Sequence, residues 1–127
     1  MNSANFRSFL AATAALIGYG GWAWFANSSA GNAAAWKAAL VQGGYSFILT
    51  FVMTYVTEWL YWYTGGRVWL TTLLSSFLLL VSAYSIHLIA GTPEVGMTIA
   101  PGFVIGTVYS AFFVVYLKGL NQTATTE

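Results

Sequence analysis

Four long apolar stretches with very few charges are the feature that most limits what this chain can fold into. Only 6% of its 127 residues are charged, whereas 58% are hydrophobic. A soluble domain carries about a quarter charged residues, because its surface must face water. The stretches cover about residues 8–26, 38–60, 68–90 and 95–118, and each has roughly the 20 residues with which a helix crosses a bilayer. The sequence therefore predicts one all-α membrane domain over residues 1–127, with four transmembrane helices in an antiparallel bundle.

The second stretch carries polar residues at intervals of four. We call this row the polar seam, and it consists of Gln42, Ser46, Thr50, Thr54 and Glu58. On a helix the row follows one face over roughly 24 Å, and polar groups at that depth are expected to face protein or water. The seam predicts a substrate or ion path with Glu58 as its functional carboxylate. A carboxylate near a helix end also fits a plain contact with lipid headgroups or with Arg67.

The only histidine lies close to the turn that separates the third and fourth stretches, because Pro93 disfavours a helical Thr92. We expect His87, Thr92 and Glu94 to cluster at the non-cytoplasmic mouth, where a protonated His87 would pair with Glu94. The alternatives are a structural bond from His87 to a carbonyl and a role in proton relay. The hydroxyls of the third stretch would bond their own backbone or form a second polar wall opposite the seam.

The fourth stretch contains a row of small residues at a spacing of four, in which Gly102 and Gly106 form a GxxxG pair. Glycine lets helix backbones approach, so this face predicts a close helix contact. Pro101 predicts a kink or a local break. Residues 27–35 are expected to form a loop, and residues 120–127 a short disordered tail.

Composition and motifs narrow the function to two classes. The chain has no cysteine and one histidine, and no phosphate-binding loop or nucleophile motif occurs, so we expect no enzyme, no metal and no cofactor. A net charge of +1 gives no reason to expect a nucleic-acid partner. The first hypothesis is a small transport or flipping protein that acts in membrane lipid as a homo-oligomer. The alternative is a non-catalytic accessory subunit of a larger membrane complex.

The distribution of positive charges predicts the orientation. Arg7, Arg67 and Lys118 fall on one side of the predicted bundle, and only Lys37 falls on the other. By the positive-inside rule, both termini are expected in the cytoplasm, in a bacterial inner membrane. The first stretch and the small residues at 28–30 also resemble a signal peptide, whose removal would leave a chain beginning near Gly31.

Overall fold

The computed structural model describes residues 3–124, with the backbone alone for residues 3 and 4. The four helices are α1 (Ser3–Asn27), α2 (Asn32–Tyr63), α3 (Val68–Ala90) and α4 (Val95–Ala124). A 3₁₀ turn at Ser28–Ala30 joins the first two. No strand occurs within the described residues. The predicted all-α bundle of four long helices is confirmed.

Two predicted boundaries are wrong. The loop expected at residues 27–35 is only the 3₁₀ turn and Gly31, since α2 already begins at Asn32. The tail expected at residues 120–127 is helical as far as Ala124, and residues 125–127 lie outside the described part. The beginning of α2 extends because helix propensity is weak and yields to packing, and Ala35 in this stretch is fully buried. The end of α4 extends because no proline after Pro101 removes a backbone N–H from the helix. The local break predicted as one outcome at Pro101 does not occur, since Pro101 lies inside α4.

All four helices are long and apolar enough to cross a membrane. Large apolar side chains cover the outside of the bundle, and Ile89, Leu40 and Phe112 are 87%, 73% and 73% exposed. Such a surface would associate in water, but it is the ordinary surface of a helix in contact with lipid. The chain therefore has the architecture of an integral membrane protein.

The helices run antiparallel. Both α2 and α4 contact all three of the other helices, whereas α1 and α3 share no contact between described residues. The connections at residues 28–31 and 91–94 lie at what we call the loop end of the bundle. The turn at residues 64–67 lies at the opposite end with the beginning of α1 and the last turns of α4, and we call this the terminal end.

Glycine brings α1 and α2 into close contact. A Cβ added to Gly43 would lie 2.9 Å from the Leu16 carbonyl oxygen and 3.6 Å from the Cα of Gly20. Backbones can approach this closely only where no side chain intervenes, and the contact is then stabilised by dispersion. At Gly106 of α4 the missing side chain makes room for a side chain of α3, since a Cβ there would lie 2.5 Å from Cδ2 of Leu79.

The bundle interior contains both a hydrophobic cluster and buried polar side chains. At the terminal end, Tyr61, Val114 and Leu117 form the hydrophobic cluster. Fully buried polar side chains occur at both ends: Thr57, Thr71 and Ser75 near the terminal end, and Asn27 and His87 near the loop end, each have 0% exposure. Buried polar groups require hydrogen-bond partners, so specific polar contacts between helices are expected at both ends of the bundle.

Replacing Gly43 by alanine should destabilise the bundle, while the same change at its neighbour Gly44 should not. The added methyl group at Gly43 presses on backbone, which cannot rotate away, and overpacking of this kind costs about 1–3 kcal/mol. Nothing lies within 4 Å of a Cβ at Gly44, so only the gain in helix propensity, up to about 1 kcal/mol, applies there. Thermal unfolding of both variants in detergent measures the difference. Equal melting temperatures would contradict the close contact.

Candidate functional site

A cavity of about 500 Å³ lies inside the bundle and is partly open to its outside. All four helices contribute to its wall, although α3 supplies only Leu79 and Ala83. Most of the wall is apolar, but nine polar side chains line it: Arg7, Ser8, Tyr19, Gln42, Tyr45, Ser46, Thr50, Thr54 and Tyr109. This combination of an apolar wall and a few polar groups is typical of sites for small molecules.

The polar seam supplies four of these side chains. Gln42, Ser46, Thr50 and Thr54 line the cavity, whereas Glu58 is exposed and does not. Four residues turn a helix by about 400°, so each step of the row rotates by about 40° and the fifth member lies about 160° from the first. The structure therefore does not bring Glu58 together with the other seam residues.

The hydroxyls of Thr50 and Thr54 in the seam each make one hydrogen bond within the protein. Thr50 donates to the carbonyl oxygen of Ser46, 2.8 Å away, within its own helix. Thr54 shares a hydrogen bond of 3.2 Å with the phenol of Tyr109 on α4. These bonds satisfy the hydroxyls without removing their remaining acceptor capacity, so both can still contact a bound molecule.

The imidazole of His87 connects the first seam residue to the loop end. His87 is fully buried, and its Nε2 lies 2.6 Å from Oε1 of Gln42 on α2. Its Nδ1 lies 2.8 Å from the hydroxyl of Thr92. An amide oxygen only accepts hydrogen bonds, so the proton of the neutral ring belongs on Nε2 and the Thr92 hydroxyl donates to Nδ1. Gln42 in turn directs its amide nitrogen towards Ser46, 3.5 Å away.

The turn after α3 explains why Thr92 reaches His87. Gly91 adopts a left-handed conformation with φ of 69°. The N–H of Thr92 then donates to the carbonyl oxygen of His87, at 3.0 Å, and the N–H of Gly91 donates to that of Leu88. This is the Schellman arrangement, which folds the chain back over the last helical turn. It brings the Thr92 side chain beside the imidazole in its own preceding turn.

Of the three residues predicted to cluster at the non-cytoplasmic mouth, only two have side chains in contact. His87 and Thr92 are in contact, but the side chain of Glu94 is exposed, and both ring nitrogens of His87 are occupied by Thr92 and Gln42. The expected pair of His87 and Glu94 is therefore wrong. The Glu94 residue acts instead through its backbone N–H, which donates to Oδ1 of Asn27 at 2.9 Å.

Asn27 joins the end of α1 to the start of α4, and the sequence patterns did not indicate this role. Its Nδ2 donates to the Ala23 carbonyl and to the Thr98 hydroxyl, both at 2.8 Å. With the acceptor bond from Glu94, the side chain satisfies an unpaired donor at the beginning of α4, as an N-cap residue would. The available signal was a lone asparagine at the end of an apolar stretch.

Trp22 explains how α4 accommodates Pro101. Proline has no N–H, so the carbonyl four residues earlier, at Met97, loses its helical partner. The indole Nε1 of Trp22 donates to this Met97 oxygen at 2.7 Å. Together with Asn27, it forms what we call the α1–α4 clasp, a set of hydrogen bonds between the loop-end halves of these two helices.

No hydroxyl of α3 lines the cavity. Thr71 and Ser82 bond carbonyl oxygens of their own chain segment, at Arg67 and Leu79, and three α3 hydroxyls also have side-chain partners. Ser75 donates to Thr57 at 3.3 Å, and Ser82 shares a bond of 2.7 Å with the phenol of Tyr45. A further pair, at 2.7 Å, joins Thr64 and Thr71 beside the tight turn. Hydroxyls of this kind act as polar contacts between membrane helices. They attach α3 to α2 but do not form a second wall of the cavity.

The wall of the cavity carries a single charge, which is positive. Arg7, an exposed residue of α1, is the one charged residue among those that line the cavity, and no carboxylate lines it. Among the described residues, no group of three or more His, Asp or Glu side chains could hold a metal ion. The cavity is therefore suited to binding by hydrogen bonds and apolar contact.

Comparison of the chain with protein-family models, with curated proteins and with solved structures found no match.

The protein's single histidine gives a direct check of this geometry. In a sample labelled with ¹⁵N in histidine only, we expect the neutral tautomer with the proton on Nε2. Replacing Thr92 by valine leaves Nδ1 unpaired and should lower the free energy of unfolding by about 1–3 kcal/mol. Serine at the same position keeps the hydroxyl and should restore most of the loss. A spectrum with the proton on Nδ1 would contradict the bond to Gln42.

Proposed function

We propose that this chain is a small integral membrane transport or flipping protein whose internal cavity receives a lipid-soluble molecule from the bilayer. The observation that carries the proposal is the cavity of about 500 Å³ lined by the polar seam. Protein interiors are close-packed, with few voids larger than a water molecule. A space of this size, with polar groups at membrane depth, is therefore better explained by a ligand than by packing.

Access to the cavity from lipid supports the proposal. On α1 the cavity wall extends from Arg7 to Tyr19, and on α4 from Ile99 to Tyr109. The α1–α4 clasp joins the same two helices nearer the loop end. The α1 and α4 walls of the cavity thus lie on the terminal side of the clasp, and we propose that a molecule enters there sideways from the membrane.

A second copy of the chain would complete the enclosure. A single bundle of four helices leaves the cavity partly open, and a second copy related by two-fold symmetry would supply a further wall. We therefore propose a homo-oligomer as the functional form, with membrane lipid as its surrounding partner.

A groove on the outside of the bundle favours the alternative, an accessory subunit of a larger complex. The groove, of about 400 Å³, lies between α1 and α2 and is lined by Gly20, Gly21 and Ala39 together with Trp24 and Trp36. The indole N–H of Trp24 is buried without a hydrogen-bond partner. Small residues admit a neighbouring helix, and this donor would find an acceptor there. Purification in mild detergent separates the hypotheses: a lone homo-oligomer supports transport, and a stable heterologous partner supports the subunit.

We propose the cytoplasmic membrane of a bacterium as the location, with the terminal end facing the cytoplasm. The antiparallel bundle supports this orientation, because it brings Arg7 and Arg67 to the same end, while Lys37 lies near the loop end. The chain has no cysteine, so single cysteines can report topology. In intact cells, a membrane-impermeant maleimide should label Ser29→Cys and not Tyr63→Cys, both of which are exposed positions. The reverse pattern would refute the orientation.

Filling the cavity should stop transport, and two adjacent alanines provide a matched test. Ala15 lines the cavity, whereas Ala14 is exposed and does not. The assay uses vesicles of phosphatidylethanolamine and phosphatidylglycerol that contain a fluorescent single-chain amphiphile. With the wild type and with Ala14→Phe, external dithionite should quickly quench the amphiphile that starts in the inner leaflet. With Ala15→Phe the rate should fall by about tenfold or more, which corresponds to ~1.4 kcal/mol in the barrier. If the wild type does not exceed protein-free vesicles, the transport proposal fails.

A further inference from the structure

The amide of Gln42 has a fixed orientation on the cavity wall. Its oxygen is held by the Nε2–H of His87 at 2.6 Å, and His87 is held by Thr92 at 2.8 Å. Gln42 itself is only 2% exposed. Because its oxygen faces the imidazole, its NH₂ group must point the other way, towards the cavity. His87 is thus a positioning residue for a donor on α2.

This NH₂ group has hydrogen-bonding capacity that the protein does not use. It carries two N–H donors. Among the described residues its one partner is the Ser46 hydroxyl, at 3.5 Å, the outer limit for such a bond. Gly102 of α4 lies beside this group, since an added Cβ there would lie 3.4 Å from Nε2. Glycine there leaves space beside the donor, and an unpaired donor at this depth costs free energy unless a ligand accepts from it.

Charge limits what that ligand can be. No carboxylate lines the cavity, so nothing in the wall compensates a cation. The one charged lining residue, Arg7, lies twelve residues before Tyr19, whose ring borders Gly102. Twelve residues of helix correspond to roughly 18 Å. The donor of Gln42 is therefore far from the positive charge, in a neutral and mostly apolar part of the cavity.

We infer that the cavity binds an uncharged amphiphile whose carbonyl-type oxygen accepts a hydrogen bond from Nε2 of Gln42. The apolar part of such a molecule extends along Ala15, Ala11 and Phe103, which line the same cavity. Ketones, esters, quinones and amides share this acceptor chemistry. The inference rests on the proposed function, because it names the class of molecule that the transport cavity accepts.

Four probes of equal chain length test the inference: 2-tridecanone, tridecane, tridecanoate and tridecylamine. Binding of each labelled probe to the protein in nanodiscs is measured, with the uptake by empty nanodiscs subtracted. We expect the ketone to bind about tenfold more tightly than the alkane, as one well-placed hydrogen bond allows, and the amine to bind no better than the alkane. Gln42→Met, which keeps the length of the side chain, should remove the preference for the ketone over tridecane.

The controls separate failure of the inference from failure of the proposed function. Ala15→Phe should abolish binding of every probe, while Ala14→Phe should not. Equal affinities of wild type for ketone and alkane, or a ketone preference that survives Gln42→Met, would overturn the role of Gln42 while the cavity remains a binding site. If the wild type prefers tridecanoate and Arg7→Gln loses this preference, the role of Gln42 is overturned in favour of an anionic ligand bound beside Arg7. Absence of binding for all probes would overturn both proposals.

Discussion

The cost of leaving a polar group unpaired at membrane depth is the constraint on which the contacts between these helices depend. Water is absent from the hydrocarbon layer, and an unpaired donor or acceptor there costs several kcal/mol. The bond of 2.6 Å between His87 and Gln42 is the central case, because it joins two fully or almost fully buried side chains from different helices. Since the Schellman turn fixes Thr92 on the other ring nitrogen, this contact determines the register between α2, α3 and the loop that follows.

The same constraint explains how the backbone irregularities are tolerated. Pro101 frees a carbonyl inside α4, and Trp22 of α1 supplies the missing donor. The first turn of α4 leaves N–H groups unpaired, and Asn27 of α1 accepts from one of them. Both repairs come from a helix that is distant in sequence, so each one also attaches α1 to α4. A proline and a helix start that would weaken an isolated helix thereby become contacts that hold the bundle together.

How much could be predicted from the sequence depended on the distance over which the responsible interactions act. The four helices follow from hydropathy over about 20 residues, which is a local property. The seam spacing correctly grouped Gln42 to Thr54 on one helix face, but a spacing of four drifts by about 40° per step, and Glu58 ends away from the cavity. The partner of His87 could not be predicted, because Gln42 lies 45 residues away in the sequence and their pairing depends on the tight turn between α2 and α3. Asn27 and Trp22 were missed for the same reason.

The cavity itself is a consequence of two tight helix pairs. Gly43 packs α2 against the backbone of α1 without room for a Cβ, and Gly106 packs α4 against the Leu79 side chain of α3. The α1–α4 clasp then sets the separation of α1 and α4 at the loop end alone. To close the space between α1 and α4, either helix would have to leave its glycine contact and lose the dispersion energy gained there. Packing that is close elsewhere therefore keeps this one space open, and the free donor of Gln42 lies on its wall.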